Sequence, residues 1–280
     1  MREVHVSDIT KVVRDLCIEA NNHLCCDVKE ALLKARDEEK WDTARGILDK
    51  IITNVEISKN EEVPMCQDTG LVCAFLEIGQ DVHIVGGNID EAINAGVAQG
   101  YEEGYLRKSV VKDPLDRVNT KNNTPAVIYY DIVPGDKLKI TIAPKGFGSE
   151  NMSQLKMLKP ADGLQGVKDF VLKVVKEAGP NPCPPIVVGV GIGGTFDRAA
   201  NLAKKALMRS VNERNKNEFY ADLEKELLEK VNALGIGPQG FGGKTTALAV
   251  NIENYPTHIA GLPVAVNINC HVTRHASRTL

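Results

Sequence analysis

The sequence predicts an α/β protein in which mixed sheets are flanked by helices and preceded by an N-terminal helical segment. Apolar residues recur at helical spacing over the first sixty positions, and strand-like and helix-like runs alternate beyond them. The chain has 280 residues, of which 43% are hydrophobic and 25% charged, as in a globular protein with its own core. We expect a single domain over residues 1–280, with a helical cap at about 1–60 and an α/β body at about 61–280.

Three helices are predicted in the cap. Ser7 and Asp8 precede an apolar pattern over residues 9–20 that repeats every three to four positions. Asp27 followed by Glu30 resembles a capping box at the start of a second helix. A third helix is predicted to begin at Trp41-Asp42, because apolar residues follow at helical spacing up to position 52.

The first half of the body contains a strand-like run at 71–78 and a helical pattern at about 89–106. Residues 124–133 and 137–143 flank the turn sequence Pro-Gly-Asp. Apolar and polar residues alternate in the second of these runs, which predicts a hairpin with one face in water.

The second half alternates between helix-like and strand-like patterns. Helices are predicted at 164–178, 197–211 and 219–234, and strands at 186–190, 245–252 and 262–269. A glycine-rich turn is expected directly after the first of these strands.

Composition excludes several classes of function. The net charge of −3, from 34 basic and 37 acidic side chains, offers no basic excess for a nucleic-acid or membrane surface. The most apolar segment, residues 185–194, is about half the length that a membrane span needs. No secretory leader is visible at the start, so we expect a cytoplasmic protein.

Two glycine-rich segments resemble nucleotide-binding motifs. Residues 189–194 (Gly-Val-Gly-Ile-Gly-Gly) fit a dinucleotide fingerprint between a strand and a helix, which would suit a nicotinamide-dependent oxidoreductase. However, a second helix follows where the motif requires a strand, so close strand-to-helix packing or an anion contact is the favoured interpretation. Residues 237–245 resemble a P-loop, but Pro238 stands where that motif requires glycine.

The chain has seven cysteines, and an odd number argues against a disulfide framework in a protein without a secretory signal. Four of them lie in predicted helices or a strand, where cysteine usually packs as a small hydrophobe: Cys17, Cys25, Cys26 and Cys73.

The other three cysteines, Cys66, Cys183 and Cys270, each lie where a regular element is expected to begin or end. Three thiolates would leave one iron of a four-iron cluster open to act as a Lewis acid. Their separations match no local ligand motif, so unrelated loop cysteines remain the alternative.

Several segments, in this order, resemble class I fumarate hydratase: residues 64–70, 145–151, 191–197, 235–240 and 257–263, followed by Cys270. The resemblance is to the alpha subunit, or N-terminal domain, of that family, and the L-tartrate dehydratase alpha subunit is a close relative. It covers nearly the whole chain.

The resemblance implies a [4Fe-4S] cluster held by Cys66, Cys183 and Cys270, with one iron open to substrate. It also implies a hydro-lyase that reversibly hydrates fumarate to L-malate, an enzyme of the tricarboxylic acid cycle. Substrate-binding residues would be Gln67, Asp68, Arg107 and Gly148. His258 would lie near Asp68, and these two residues would be catalytic.

Each of these assignments has a plainer alternative. Arg107 and Lys108 could be a solvated basic pair, His258 a histidine satisfied at a strand start, and Asp68 a turn residue. Phe147 stands where the family usually has glycine, so Gly146 competes with Gly148 for the contact with a small dicarboxylate substrate.

No separate general base is evident in the sequence, and in the related proteins the base lies in a second domain. The chain ends ten residues after Cys270, so we expect a separate beta subunit in an α2β2 heterotetramer with the active site between subunits. Tartrate in place of fumarate is the principal alternative substrate.

Overall fold

The computed structural model describes residues 2–280 and confirms the α/β class. The chain forms two compact units, both discontinuous in sequence. The first unit comprises residues 1–25, 55–147 and 274–280, and the second comprises residues 26–54 and 148–273. The expected single domain over 1–280 stays a prediction.

In chain order the elements are β1 (Arg2–His5), α1 (Val6–Asn22), α2 (Cys26–Glu38), α3 (Asp42–Glu61), β2 (Leu71–Gly79), β3 (Val82–Val85), α4 (Ile89–Glu103), β4 (Val127–Val133), β5 (Leu138–Lys145), α5 (Phe147–Glu150), β6 (Gln154–Leu158), α6 (Gly163–Ala178), β7 (Ile186–Gly194), α7 (Phe196–Ala206), α8 (Glu218–Asn232), β8 (Ala247–Thr257), β9 (Leu262–Asn269) and β10 (Ala276–Thr279). Short 3-10 turns lie at Pro160–Asp162 and Pro238–Gly240. Within residues 2–280, none of the helices has the length and apolar character that crossing a membrane would require.

The first unit contains a four-stranded sheet in the order β10-β5-β2-β4 and a small parallel pair of β1 with β3. The predicted hairpin of β4 with β5 is wrong, because β2 lies between them, parallel to β4 and antiparallel to β5. The reason is burial: β2 is mostly apolar and buried through residues 72–76, so it takes a central position.

Helix α1 packs closely on α4 within the core of the first unit. An ideal Cβ on Gly96 would lie 2.6 Å from the carbonyl oxygen of Thr10, and one on Gly100 would lie 2.9 Å from Cβ of Cys17. Cys17 is fully buried in this contact, which confirms it as a packing residue, and burial raises the pKa of its thiol.

The second unit is built on a sheet in the order β6-β9-β7-β8. Strand β7 is central, parallel to β8 and antiparallel to β9, and its register pairs Val187 with Asn269. Helices α6 and α8 contribute the apolar side chains that cover one face, while Ala199 and Ala203 of α7 pack in a separate small cluster with Ala265 of β9.

The glycine sequence at 189–194 lies inside β7, so the expected glycine turn after residue 190 is wrong. An ideal Cβ on Gly191 would lie 2.1 Å from the carbonyl oxygen of Ala199 in α7, and one on Gly189 would lie 2.1 Å from that of Ala203. These glycines therefore allow a helix backbone to lie against the strand, as the strand-to-helix interpretation expects.

The P-loop-like segment also has a structural use. An ideal Cβ on Gly237, whose φ is +68°, would lie 1.7 Å from the carbonyl oxygen of Gly242, so the loop closes on its own backbone. Lys244 donates to Glu38 over 2.6 Å, and its main-chain N–H donates to Glu39. The lysine that a P-loop would direct at phosphate is thus engaged with acidic side chains.

Gly191→Ala should destabilise the protein by about 3 kcal/mol, because the new methyl group collides with a helix carbonyl that cannot move without shifting α7. The change in the free energy of unfolding is measured by urea titration.

Gly46→Ala is the matched control, since nothing lies within 4 Å of an ideal Cβ at this position in α3. It should stabilise the protein by about 0.5–1 kcal/mol, because alanine loses less conformational entropy in a helix. Equal effects of the two substitutions would contradict the packing explanation.

Candidate functional site

In the first unit the segment of residues 62–70, called here the Cys66 loop, connects α3 to β2. Its turn is organised by Asp68, whose Oδ1 accepts from the N–H of Gly70 at 3.0 Å and whose Oδ2 accepts from that of Phe147 at 2.9 Å. The main-chain N–H of Asp68 lies 3.4 Å from Sγ of Cys66. Asp68 therefore stabilises the turn through its carboxylate, as a turn residue does, and its main-chain N–H also orients the Cys66 thiol.

Two buried side chains hold the end of the Cys66 loop. The hydroxyl of Tyr101 in α4 donates to the carbonyl oxygens of Thr69, at 2.5 Å, and Gly70, at 3.0 Å. Asn123 is fully buried and donates to Gly70 as well, at 3.1 Å. Burial raises the pKa of Tyr101, so its hydroxyl stays protonated and remains a donor.

The predicted residues Gln67 and Arg107 lie at this loop. Both are exposed, and Oγ1 of Thr69 donates to the carbonyl oxygen of Arg107 at 2.9 Å, which ties the Arg107 backbone to the Cys66 loop. Gly146 also belongs here, since an ideal Cβ on it would lie 3.3 Å from Oδ2 of Asp68. Nζ of Lys108 donates to the carboxylate of Glu102. Of the two residues that could form a solvated basic pair, Lys108 is therefore engaged with an acidic side chain, whereas Arg107 is exposed.

In the second unit Cys183 and Cys270 stand at the same end of the sheet. Cys270 follows Asn269 at the end of β9, and Asn269 pairs with Val187 near the start of β7. Cys183 lies four residues before Val187, and its carbonyl oxygen accepts from the N–H of His271 at 3.3 Å. Two of the three predicted cluster ligands, 87 positions apart, are thus brought to one place.

The Cys183 loop is strained and braced. Cys183 has a φ of +54°, which is uncommon for a residue with a side chain. Nδ1 of His271 lies 2.9 Å from the Cys183 carbonyl oxygen, a geometry that suits an Nδ1–H donor. Gln239 donates to the carbonyl oxygen of Pro184 from its backbone, at 2.7 Å, and from its side chain, at 2.8 Å. These contacts keep the exposed Cys183 in a conformation that it would not otherwise adopt.

His258 is found at the other end of the same sheet. It follows Thr257, which pairs with Gly194 at the far end of β7 from Val187. Those seven residues of strand correspond to roughly 23 Å. The side chain is exposed and its Nδ1 accepts from the N–H of Ala260 at 3.1 Å. The structure therefore does not bring His258 together with Cys183 and Cys270 within one chain.

The remaining predicted residues divide into exposed and packed positions. Gly148 is exposed, and the nearest atom to an ideal Cβ on it is the carbonyl oxygen of Asn181, at 3.8 Å. Cys73 is buried, as predicted, but Cys26 is exposed at the first position of α2, so its prediction as a packing residue is wrong. Cys25 is half-buried and lies 3.4 Å from the carbonyl oxygen of His275.

The three candidate ligands are of the residue type that binds iron–sulfur clusters. Cysteine sulfurs are the usual ligands of such clusters, and Cys66, Cys183 and Cys270 all retain some exposure while lying in loops. Within residues 2–280, no three His, Cys, Asp or Glu side chains are grouped so that they could hold a single metal ion.

Sequence reasoning missed the side chains that brace these loops. Tyr101 and Asn123 carry no local signal, because their contacts with the Cys66 loop are distant in sequence. By contrast, His271 directly follows Cys270, and Arg274 lies four residues after it. Their position after a candidate ligand is a signal that could have singled them out.

Comparison with known proteins gives a consistent result over nearly the whole chain. A family model described as fumarate hydratase (Fumerase) matches residues 10–279. A protein of Methanocaldococcus jannaschii, named provisionally as an L(+)-tartrate dehydratase subunit alpha, is 47% identical over 280 residues, with 97% of each chain covered. L(+)-tartrate dehydratase subunits alpha of Escherichia coli strains UTI89 and K12 are 31% and 30% identical over 276 residues, covering 97% of this chain and 90% of theirs.

Proposed function

The chain belongs to the fumarate hydratase (Fumerase) family, and from that premise we propose that it is the alpha subunit of an iron–sulfur hydro-lyase. Its substrate would be a small 2-hydroxy dicarboxylate, from which water is removed or to whose unsaturated form water is added. The first candidate reaction is the reversible hydration of fumarate to L-malate.

The structural observation that carries the proposal is the meeting of Cys183 and Cys270 at one end of the second unit's sheet. With Cys66 they form the proposed ligand set for a [4Fe-4S] cluster. Such a cluster, with one iron lacking a protein ligand, would supply a Lewis acid for the hydroxyl group that leaves.

The proposed work of the other residues is to bind and orient substrate. Arg107 would pair with a substrate carboxylate, since a guanidinium fork matches carboxylate geometry and its side chain is exposed beside the Cys66 loop. Gln67 would hydrogen-bond the same substrate, and Gly148 would offer its N–H. Asp68 is held by two main-chain donors, so as a catalytic group it would act from one fixed orientation.

His258 can serve a site at Cys183 and Cys270 only if a second copy of the chain supplies it. The reason is the roughly 23 Å of strand that separates the two ends of β7. We therefore propose that His258 helps to protonate the leaving hydroxyl in a neighbouring subunit, which agrees with the proposed α2β2 assembly.

The second candidate substrate is tartrate. The observation in its favour is that the near full-length relatives reported above are named as L(+)-tartrate dehydratase subunits. Those names also describe alpha subunits, which supports a beta subunit as the partner that would supply the missing general base.

Anaerobic reconstitution with iron and sulfide should give the chain a broad absorption band near 400 nm. Cys66→Ser, Cys183→Ser and Cys270→Ser should each reduce this band strongly, because serine replaces the thiolate ligand. Absorption and bound iron per chain are the measurements.

Cys26→Ser is the control, since Cys26 is also exposed but is not a proposed ligand. Its spectrum should equal that of the unaltered chain. A colourless reconstituted protein, or an equal loss of the band in all four variants, would count against the proposed ligand set.

The chain alone should turn over neither substrate, and activity should appear when the beta subunit is added. Initial rates of the complex with fumarate, L-malate and L(+)-tartrate decide between the two candidates. Robust turnover by the isolated chain would contradict the proposal that two kinds of subunit are needed for activity.

The role of His258 is tested by mixing chains within the complex. His258→Ala and Cys183→Ser should each be inactive alone. Co-assembled in equal amounts they should recover about one quarter of the normal rate, because half of random pairs are mixed and one of their two sites is intact. No recovery, or full activity of His258→Ala, would refute a contribution from a second copy.

A further inference from the structure

Arg274 is a buried cation beside the Cys66 loop, and among residues 2–280 it forms no salt bridge with a carboxylate, although the Asp68 side chain lies nearby. It is only 4% exposed and lies just before β10 in the first unit. Its Nη2 donates to the carbonyl oxygen of Asp68, and its Nε lies 3.5 Å from that of Pro144 in β5. Its Nη1 is buried and has no hydrogen-bond partner among residues 2–280.

This arrangement is costly for a structural residue. Arginine is almost never fully buried without an ionic partner, and an unmatched buried charge destabilises the fold. Here every hydrogen bond within the described chain goes to a main-chain carbonyl oxygen, which supplies partial charge only. The lack of a contact ion pair and the unpartnered Nη1–H together indicate that a further negatively charged group completes the site.

The contacts of Arg274 join two segments of the first unit, the Cys66 loop and the end of β5. Asp68, whose carbonyl oxygen it binds, presents its N–H to Sγ of Cys66 and its carboxylate to Phe147. Pro144 lies two residues before Gly146, against which Asp68 packs. One guanidinium therefore braces the Cys66 loop and the chain leaving β5 at the same time.

We propose that Arg274 is a positioning residue for Cys66, and that its charge and free Nη1–H compensate an anionic group bound beside that cysteine. The anionic group rests on the proposed function, since a four-iron cluster with three thiolate ligands carries net negative charge. The bracing of the loop does not depend on that function.

The brace is tested in the cluster-free chain by amide hydrogen exchange of residues 66–70. Arg274→Gln should raise the exchange rates of these amides about tenfold, because the Asp68 carbonyl loses its donor. Arg274→Lys should raise them too, since an ammonium group cannot reproduce the two-armed guanidinium. Arg274→Lys also serves if the glutamine variant does not fold.

The charge is tested by the rate at which a chelator removes iron from the reconstituted chain, followed by the absorption band. Arg274→Gln should lose the cluster about tenfold faster, as expected when a residue supporting a metal ligand is removed. Arg274→Lys should lose the cluster more slowly than Arg274→Gln, because the positive charge is kept although the brace is weakened.

Arg278→Gln is the matched control for both measurements. Arg278 lies on β10 but is half-exposed and paired with Glu19 at 3.0 Å and Asp15 at 3.6 Å. Neither exchange at 66–70 nor cluster loss should change in this variant.

The possible outcomes separate the two claims. Unchanged exchange in both Arg274 variants would overturn the brace. Equal cluster loss in the glutamine and lysine variants would overturn the charge compensation. If the unaltered chain takes up no cluster, the proposed function and the charge compensation fail together, while the exchange rates still decide whether Arg274 positions Cys66.

Discussion

The antiparallel pairing of β7 with β9 is the constraint on which the candidate site in the second unit depends. Because Val187 faces Asn269, the residues before β7 and those after β9 must lie at one end of the sheet. The proximity of Cys183 and Cys270 follows from this register and not from any local sequence feature. The pairing of Thr257 with Gly194 at the other end of β7 sends His258 to the opposite end of the sheet, so the topology brings Cys183 and Cys270 together and separates His258 from them within one chain.

Main-chain carbonyl groups explain most of the polar burial in the first unit. The Cys66 loop leaves regular structure, so the carbonyl oxygens of Asp68, Thr69 and Gly70 need donors that a sheet or helix would otherwise provide. Tyr101, Asn123 and Arg274 supply them from distant parts of the chain. Two of these donors are neutral and cost little to bury, whereas the third is charged, which is why it alone suggests a bound partner.

Glycine motifs in this protein illustrate how one sequence pattern can serve two physical ends. Closeness of a backbone to a phosphate and closeness of a helix to a strand both require a missing side chain. At Gly189 and Gly191 the contact is with carbonyl oxygens of α7. The sequence identified the right positions for unusual backbone proximity, and only the partner atom separates a nucleotide site from packing.

Helix periods, the central apolar strands and the loop positions of Cys66, Cys183 and Cys270 could be read from the sequence, because they depend on local patterns of burial and on turn residues. The pairing of β4 and β5 with β2, the exposure of Cys26 and the place of His258 could not, since each depends on which distant segments meet. The family resemblance indicated the chemistry through residue types in a specific order. Tertiary structure alone decided which of those residues share one end of a sheet and which buried side chains hold them there, because strand register and long-range hydrogen bonds leave no periodic trace in the chain.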